Sequence, residues 1–258
     1  MKQDSHFFHR YIFKRVGYLL GLSLLPWCYG ISVAQASVQF EPPPPDQGAP
    51  TGRQRGGGTR GDCFTYQGLT ALIPQVEGTV WSQTTSASPS FFFYVPHELD
   101  STQQLEFVIQ DSEDNYVFHK EFSVNAAAGI LDLPITDDGH STGLDVDKSY
   151  TWTFSIYCDA TRPSDSVSVS GTVKRVADSL TSLTLNNNQP LHTPEMQFQL
   201  IEQYAGEGVW HEALGLAISL YQTNPQNPEY IETLETLFSQ AELADIMPTM
   251  HVFSVEDS

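Results

Sequence analysis

The stretch that decides the fold of this chain reads Ser149-Tyr150-Thr151-Trp152-Thr153-Phe154-Ser155-Ile156-Tyr157-Cys158-Asp159. Within it, large apolar side chains alternate strictly with hydroxyl-bearing ones. Because successive side chains of a β-strand point to opposite faces of the sheet, this alternation places the large apolar groups on one face and the hydroxyls on the other. We therefore predict the central strand of a β-sandwich, with its apolar face in the core.

Six further segments have a strand-like pattern and are separated by turn residues. They are Tyr66–Ile73, Ser90–Val95, Leu105–Gln110, Tyr116–Val124, Ile130–Ile135 and Val167–Arg175. Thr79–Trp81 has the pattern of a short additional strand. Seven short strands with regular turns are typical of an immunoglobulin or fibronectin type III-like sandwich. The predicted fold is therefore mainly β, with this sandwich over residues 63–177.

The turn before the opening stretch has a pattern of its own. Leu144 stands six residues before Tyr150, which begins the long alternating strand. This spacing resembles the turn into the sixth strand of fibronectin type III domains, where a tyrosine corner anchors the connection. We expect Leu144 and Tyr150 to form such a structural tyrosine corner.

The first 36 residues have the composition of a secretory signal peptide. Basic residues precede an apolar run, Val16–Val33, and the segment closes with an Ala-x-Ala sequence at Ala36. This order predicts cleavage after Ala36 and export to the periplasm or the extracellular space. An N-terminal membrane anchor is the alternative, although Pro26 interrupts the apolar run. No other stretch is long and apolar enough to span a bilayer.

The charge balance bears on the partner. The chain carries 31 acidic and 12 basic residues, a formal net charge of −19. Because proteins bind nucleic acid through Lys and Arg, which displace counterions from the phosphates, this balance argues against a nucleic-acid partner. It is compatible with solubility outside the cell or with divalent cations.

The cysteines predict one cross-link. Cys28 would leave with the signal peptide, and Cys63 and Cys158 would remain as an even pair in an oxidising compartment. In the predicted topology Cys63 lies just before the first strand and Cys158 closes the sixth, at the same pole of the sandwich. We predict a disulfide between them that encloses nearly the whole sandwich. Two buried free thiols are the alternative.

Three segments outside the sandwich have the composition of connecting chain. Residues 37–62 contain Pro42–Pro45 and the run Gly56–Gly58, which favour extended or flexible backbone over a packed core. We interpret this segment as a linker. Residues 178–193 form a second, polar linker, and residues 251–258 form a tail.

Residues 194–250 have helical periodicity. Thr193, Pro194 and Glu195 are typical of a helix start, and about three amphipathic helices follow. Gly206–Pro225 resembles a single tetratricopeptide unit, which needs neighbours to bury its apolar face. Phe91–Val95 is apolar on both faces and would pair with Ile130–Ile135 in the second sheet. We therefore expect this second sheet to be covered, most simply by the helices.

Several motifs occur in a fixed order between residues 40 and 246. They are Pro42–Pro45, the Gly-rich run before Cys63, Leu69-Thr70-Ala71-Leu72-Ile73-Pro74, Phe93-Tyr94-Val95-Pro96, and Tyr150-x-Trp152 through Cys158-Asp159. The ordered set resembles a cyanobacterial family of exported proteins known as domain of unknown function 928. The resemblance implies a cyanobacterial source and an exported location. It implies no established activity and supplies no functional residues.

One motif matches a catalytic pattern. Residues 139–143 have the Gly-x-Ser-x-Gly form of a nucleophile elbow, with His140 beside Ser141. That elbow requires a strand before the serine and a helix after it, whereas here a strand follows. We interpret the motif as an inter-strand loop and predict no catalytic residue.

Acidic residues cluster in two turn regions. The members are Asp111, Glu113 and Asp114 in the first, and Asp137, Asp138, Asp145 and Asp147 in the second. Calcium favours several such oxygens, but neither run has the spacing of an EF-hand loop. Since no His pair or Cys pair has zinc-site spacing either, we predict no metal and no cofactor.

These patterns favour a non-enzymatic interaction module of the cell envelope that binds a protein or a surface polymer. The step from fold to function is an analogy. An envelope hydrolase that acts on glycan or ester, with Ser141 or paired carboxylates in a cleft, is the first alternative. A calcium-dependent adhesion module is the second.

Overall fold

The computed structural model describes residues 38–57, 61–135, 143–159, 162, 164–179, 193–246 and 251–255. The strands are β1 (Thr70–Ala71), β2 (Gln75–Val76), β3 (Thr79–Thr84), β4 (Ser90–Val95), β5 (Gln104–Gln110), β6 (Tyr116–Phe122), β7 (Gly129–Pro134), β8 (Ser149–Tyr157), β9 (Ser166–Arg175) and β10 (Val252–Ser254). The helices are α1 (Pro194–Gly206), α2 (Trp210–Thr223) and α3 (Pro228–Gln240). The prediction of a mainly β protein with three C-terminal helices is confirmed.

The strands form two sheets. One has the order β2-β3-β9-β8-β5-β6 and the other the order β1-β4-β7-β10. Within the larger sheet β8 lies between β5 and β9 and is antiparallel to both. This arrangement is sandwich-like, and its order is compatible with an immunoglobulin or fibronectin type III-like topology.

The core lies between the two sheets. On β8 the side chains of Tyr150, Trp152, Phe154 and Ile156 are buried, as the alternation predicts. Aromatic rings interlock across the core, and the Phe93 ring stacks on Phe154 with centroids 4.3 Å apart. Such ring contacts add packing specificity to the burial of apolar area.

The smaller sheet is apolar on both faces and is covered on both. Strand β4 pairs with β7, as predicted, and Phe91, Phe92 and Phe93 are all buried. Helix α2 packs against β3 and β4 and provides the second cover. The expectation that the helical segment covers this sheet is confirmed.

Helix α1 begins as predicted, since the Thr193 side chain accepts a hydrogen bond from the backbone N–H of Met196. No helix in the described ranges is long and apolar enough to cross a membrane.

The first predicted strand, Tyr66–Ile73, differs in the structure. Residues Gly61–Tyr66 form a 3-10 helix, and only Thr70–Ala71 belongs to a strand. Gly68, with a φ of 103°, turns the chain between the two, in a conformation that glycine adopts at little steric cost. The short additional strand is longer than Thr79–Trp81 and pairs in parallel with β9.

Residues 38–57 also differ from the expectation of a free linker. The Gln240 side chain accepts from the N–H of Phe40 (2.6 Å) and donates to the carbonyl of Val38 (3.0 Å). Further along, Arg55 makes two hydrogen bonds to the Asp245 carboxylate, at 2.8 and 2.7 Å. An extended segment has unpaired backbone groups, and here they pair with the helices and the sandwich.

The C-terminal segment is likewise more than a tail. Residues Val252–Ser254 form β10, which pairs in parallel with β7 and is itself the edge strand of the smaller sheet. The free N–H and C=O groups of a sheet edge provide the partners for such an addition.

Candidate functional site

The start of β8 is held by the Tyr150 side chain. Its hydroxyl oxygen accepts a hydrogen bond from the backbone N–H of Asp145 at 2.9 Å, and Leu144 beside it is buried. Asp147 has a φ of 63° and donates its N–H to the carbonyl of Arg175 at 2.8 Å. The turn 144–148 is thereby tied to both β8 and β9.

The predicted disulfide between Cys63 and Cys158 is present. The two Cα atoms are 5.4 Å apart across a sequence separation of 95 residues. The bond joins the 3-10 helix before β1 to the end of β8, so it closes the sandwich at one pole.

A cleft of about 380 Å³ lies at the start of β8. Its walls come from an N-terminal stretch, the β5–β6 turn and the adjoining ends of β8 and β9. The lining residues are Asp46, Gln47, Gly48, Ala49, Pro50, Asp111, Ser112, Asp114, Ser149, Tyr150, Thr151 and Thr172. Three of them are carboxylates and four are Ser or Thr residues.

Asp46 is fixed in one wall of the cleft. Its Oδ2 accepts from the Ser149 hydroxyl at 2.5 Å, and its Oδ1 accepts from the Lys174 ammonium at 3.0 Å. The hydrogen bond from Ser149, together with Lys174, lowers the pKa of the Asp46 carboxyl. The group is therefore ionised at neutral pH.

Asp111 organises the β5–β6 turn on the other wall. Its carboxylate accepts from the backbone N–H groups of Glu113 (2.8 Å) and Asn115 (3.0 Å) and from the Asn115 side-chain amide. These bonds, led by the one from the Asn115 side chain, lower the pKa of the Asp111 carboxyl. Asp114 follows in the left-handed region, with a φ of 62°.

Thr172 contributes a hydroxyl with unused hydrogen-bonding capacity. Its Oγ1 is buried and has no hydrogen-bond partner among the described residues. Buried hydroxyls normally have a partner, and this one lies beneath the surface of the cleft rather than open to it. The three carboxylates and the hydroxyls of Ser112 and Thr151 give the cleft a polar lining.

The motif residues His140 and Ser141, and the acidic residues Asp137 and Asp138, lie outside the described residues. Asp145, from the same acidic turn, forms an ion pair with Lys148 at 2.8 Å.

A second serine–histidine pair, which the sequence analysis missed, lies between α2 and the sandwich. The Nδ1 of His211 is 2.9 Å from the carbonyl of Ser90, and its Nε2 is 2.9 Å from the Ser82 hydroxyl. A carbonyl only accepts, so Nδ1 carries the proton and Nε2 accepts from Ser82. Ser82 is 1% exposed and His211 5% exposed. The pair is therefore closed to a substrate and holds the helix in place.

One group among the described residues has the composition and spacing of a metal site. Single ligand atoms of Glu106, His119 and Glu121 all lie within 4.8 Å of one another. The sequence predicted no metal site, and this group was not recognised from it. The spacing of His119 and Glu121, two residues apart on one predicted strand, places both side chains on the same face of the sheet. Glu106 comes close to them only through the register between β5 and β6, which the sequence does not show.

The fold and the cleft together define a disulfide-closed β-sandwich with helical cover and a polar, carboxylate-bearing cleft. The family model described as Domain of Unknown Function (DUF928) matches residues 55–250 of the chain. The match spans the sandwich and the helices, and the chain belongs to this family. No curated protein matches it.

Proposed function

We propose that this protein is an exported, non-enzymatic binding module of the cell envelope, and that its cleft holds a hydroxyl-rich surface polymer such as a polysaccharide. The observation that carries the proposal is the lining of the cleft. The carboxylates of Asp46, Asp111 and Asp114 accept hydrogen bonds, and the hydroxyls of Ser112 and Thr151 both accept and donate them. A polysaccharide presents rows of hydroxyls that match such groups.

The state of the carboxylates favours binding over hydrolysis. Glycoside hydrolysis by two carboxyl groups needs one whose pKa is raised, so that it can protonate the leaving oxygen. The pKa values of Asp46 and Asp111 are shifted downwards instead, because both accept several hydrogen bonds. Both groups serve as fixed acceptors and are poorly suited to donate a proton.

Export is supported by two features. Residues 1–36 have the order of a signal peptide, and a disulfide closes the sandwich. The family resemblance adds a cyanobacterial source to the proposal. N-terminal sequencing of the protein recovered from the periplasm or the medium tests this part, and the expected first residue is Ser37. Recovery of an uncleaved chain from the cytoplasm would contradict export.

Binding is tested with a panel of soluble neutral and acidic polysaccharides by affinity electrophoresis and calorimetry. We expect at least one polysaccharide to bind, and we expect Asp114→Asn with Ser112→Ala to weaken its affinity about tenfold or more. Glu113→Gln is the matched control, because Glu113 is exposed in the same turn but does not line the cleft.

Equal affinity of the cleft variant and the wild type would refute the cleft as the binding site. Release of new reducing ends from a bound polysaccharide would favour the hydrolase alternative.

A further inference from the structure

Glu106, His119 and Glu121 meet on the outer face of the larger sheet. Glu106 of β5 pairs directly with Glu121 of β6, and His119 lies two residues before Glu121 on the same face. The Tyr116 ring stacks on the imidazole with centroids 5.3 Å apart and orients it. Strand β6 is the edge strand of its sheet, and the side chains of His119 and Glu121 are partly exposed to solvent.

The three side chains converge on one point. The Nε2 of His119 is 2.9 Å from Oε1 of Glu106 and 3.8 Å from Oε1 of Glu121. Each carboxylate therefore directs its Oε1 atom towards Nε2 of His119.

Outer hydrogen bonds hold the carboxylates in this orientation. The Tyr157 hydroxyl donates to Oε2 of Glu106 at 2.6 Å, and the Gln104 amide donates to Oε2 of Glu121 at 2.7 Å. Each carboxylate thus uses one oxygen for the protein and leaves the other directed at the imidazole. Such outer partners are a regular feature of metal sites, because they fix the ligands before the ion arrives.

The pairing of Glu106 with Glu121 brings two carboxylates together and favours a bound cation. Like charges directly opposite each other on neighbouring strands destabilise a sheet. A divalent ion between the two carboxylates offsets this repulsion.

We propose that Glu106, His119 and Glu121 bind one divalent first-row transition-metal ion through Nε2 and the two Oε1 atoms. In a tetrahedral zinc site the ligands lie about 2.0–2.2 Å from the ion, which places neighbouring ligand atoms about 3.3–3.5 Å apart. The separations of 2.9 and 3.8 Å bracket this spacing, so small side-chain adjustments complete the site. The fourth position faces solvent and takes a water molecule.

The imidazole ligand sets the class of ion. Calcium and magnesium prefer an all-oxygen environment, whereas zinc and its neighbours in the first transition row bind imidazole nitrogen well. The side chains of His119 and Glu121 are 39% and 54% exposed, so the ion enters directly from solvent. This site is separate from the polysaccharide cleft, and the two proposals stand or fall independently.

The test is calorimetric titration of the tag-free full chain with zinc chloride, accompanied by thermal melts. We expect one ion per chain and a rise in the melting temperature that grows with zinc concentration, because a ligand that binds the folded state stabilises it. His119→Ala and Glu121→Gln are expected to abolish both effects.

His97→Ala is the matched control, because His97 is an exposed histidine outside the group. It is expected to retain wild-type binding. The proposal is overturned if zinc does not bind the wild type, if His119→Ala binds it equally well, or if calcium competes with zinc at equal concentration.

Discussion

The imidazole of His211 donates its Nδ1 proton to the backbone carbonyl of Ser90 over 2.9 Å, which joins helix α2 to strand β4. Two neighbours on the same helix reinforce the joint. The Trp210 indole donates to the carbonyl of Leu72 at 2.7 Å, and Oε1 of Glu212 accepts from the Thr84 hydroxyl at 2.7 Å. The helices and the sandwich are therefore connected by directional bonds between buried or half-buried groups.

The first prediction concerns pH. Burial lowers the pKa of His211, although the charge of Glu212 opposes the shift. In the unfolded chain the histidine has a pKa of about 6.5, so it binds a proton below that pH, whereas His211 in the folded protein stays neutral. The free energy of unfolding therefore keeps its full value above pH 6.5 and decreases as the pH falls below it. We expect the free energy of unfolding to decrease between pH 6.5 and 5.5, with His211 contributing to the loss.

Thermal melts followed by circular dichroism between pH 7.5 and 5.5 measure this loss. His211→Gln should melt at a lower temperature at pH 7.5 but show a shallower pH dependence. His97→Gln, at an exposed position, should keep the wild-type slope. An unchanged slope in His211→Gln would contradict the prediction.

The second prediction concerns the docked N-terminal segment. A Cβ atom at Gly56 would lie 2.4 Å from Cγ1 of Val167 and 3.2 Å from Cβ of Leu69, whereas one at Gly57 would meet nothing within 4 Å. Gly56→Ala should therefore cost about 1–3 kcal/mol in free energy of unfolding, the usual penalty for overpacking.

Urea denaturation measures this difference, with Gly57→Ala as the control. The control should lie within about 0.5 kcal/mol of the wild type, as is usual for surface changes. Equal stabilities of the two variants would mean that residues 53–57 do not dock as described.

The third prediction concerns the Tyr150 hydroxyl. We propose that Leu144 and Tyr150 act as a tyrosine corner, and Tyr150→Phe removes the acceptor for the Asp145 N–H. The expected loss is about 1 kcal/mol of unfolding free energy, typical of one hydrogen bond. Tyr116→Phe, whose side chain is largely exposed, should change stability little in the same denaturation experiment. If the Tyr150→Phe variant is as stable as the wild type, the Tyr150 hydroxyl does not stabilise the turn and the prediction is wrong.

The fourth prediction separates binding from folding at the cleft. Thr172→Val keeps the shape of the side chain and removes a buried hydroxyl that has no partner in the described chain. Its melting temperature should equal or exceed that of the wild type, because no intramolecular bond is lost. Its affinity for the bound polysaccharide should be unchanged, because the hydroxyl lies beneath the surface of the cleft. A clear loss of affinity without a loss of stability would contradict this placement of the hydroxyl.

The sequence predicted the elements whose signal is local. Strict alternation of apolar and polar side chains identified β8 and its buried face. The apolar run at Phe91–Val95 identified a strand that is buried on both faces of its sheet. Thr193 marked the start of a helix. In each case side-chain spacing matches the period of one element, so the chain near that point carries the information.

The position of Cys63 and Cys158 at the same pole of the sandwich was also accessible, because it follows from strand order alone. The polar cleft was not accessible. Its walls come from residues near position 46, from the turn after β5 and from the start of β8, and no local pattern relates segments so far apart in sequence.

The sequence by itself therefore determined a mainly β chain with a helical C-terminal part and a cross-linked sandwich, because these features follow from local side-chain spacing and from strand order. Only the tertiary structure decided that residues 38–57 dock, because an extended segment lacks periodicity and its partners, such as Gln240, are distant in sequence. The same holds for Glu106 beside His119. Their contact depends on the register between two strands, and a shift by one residue would point the two side chains to opposite faces of the sheet.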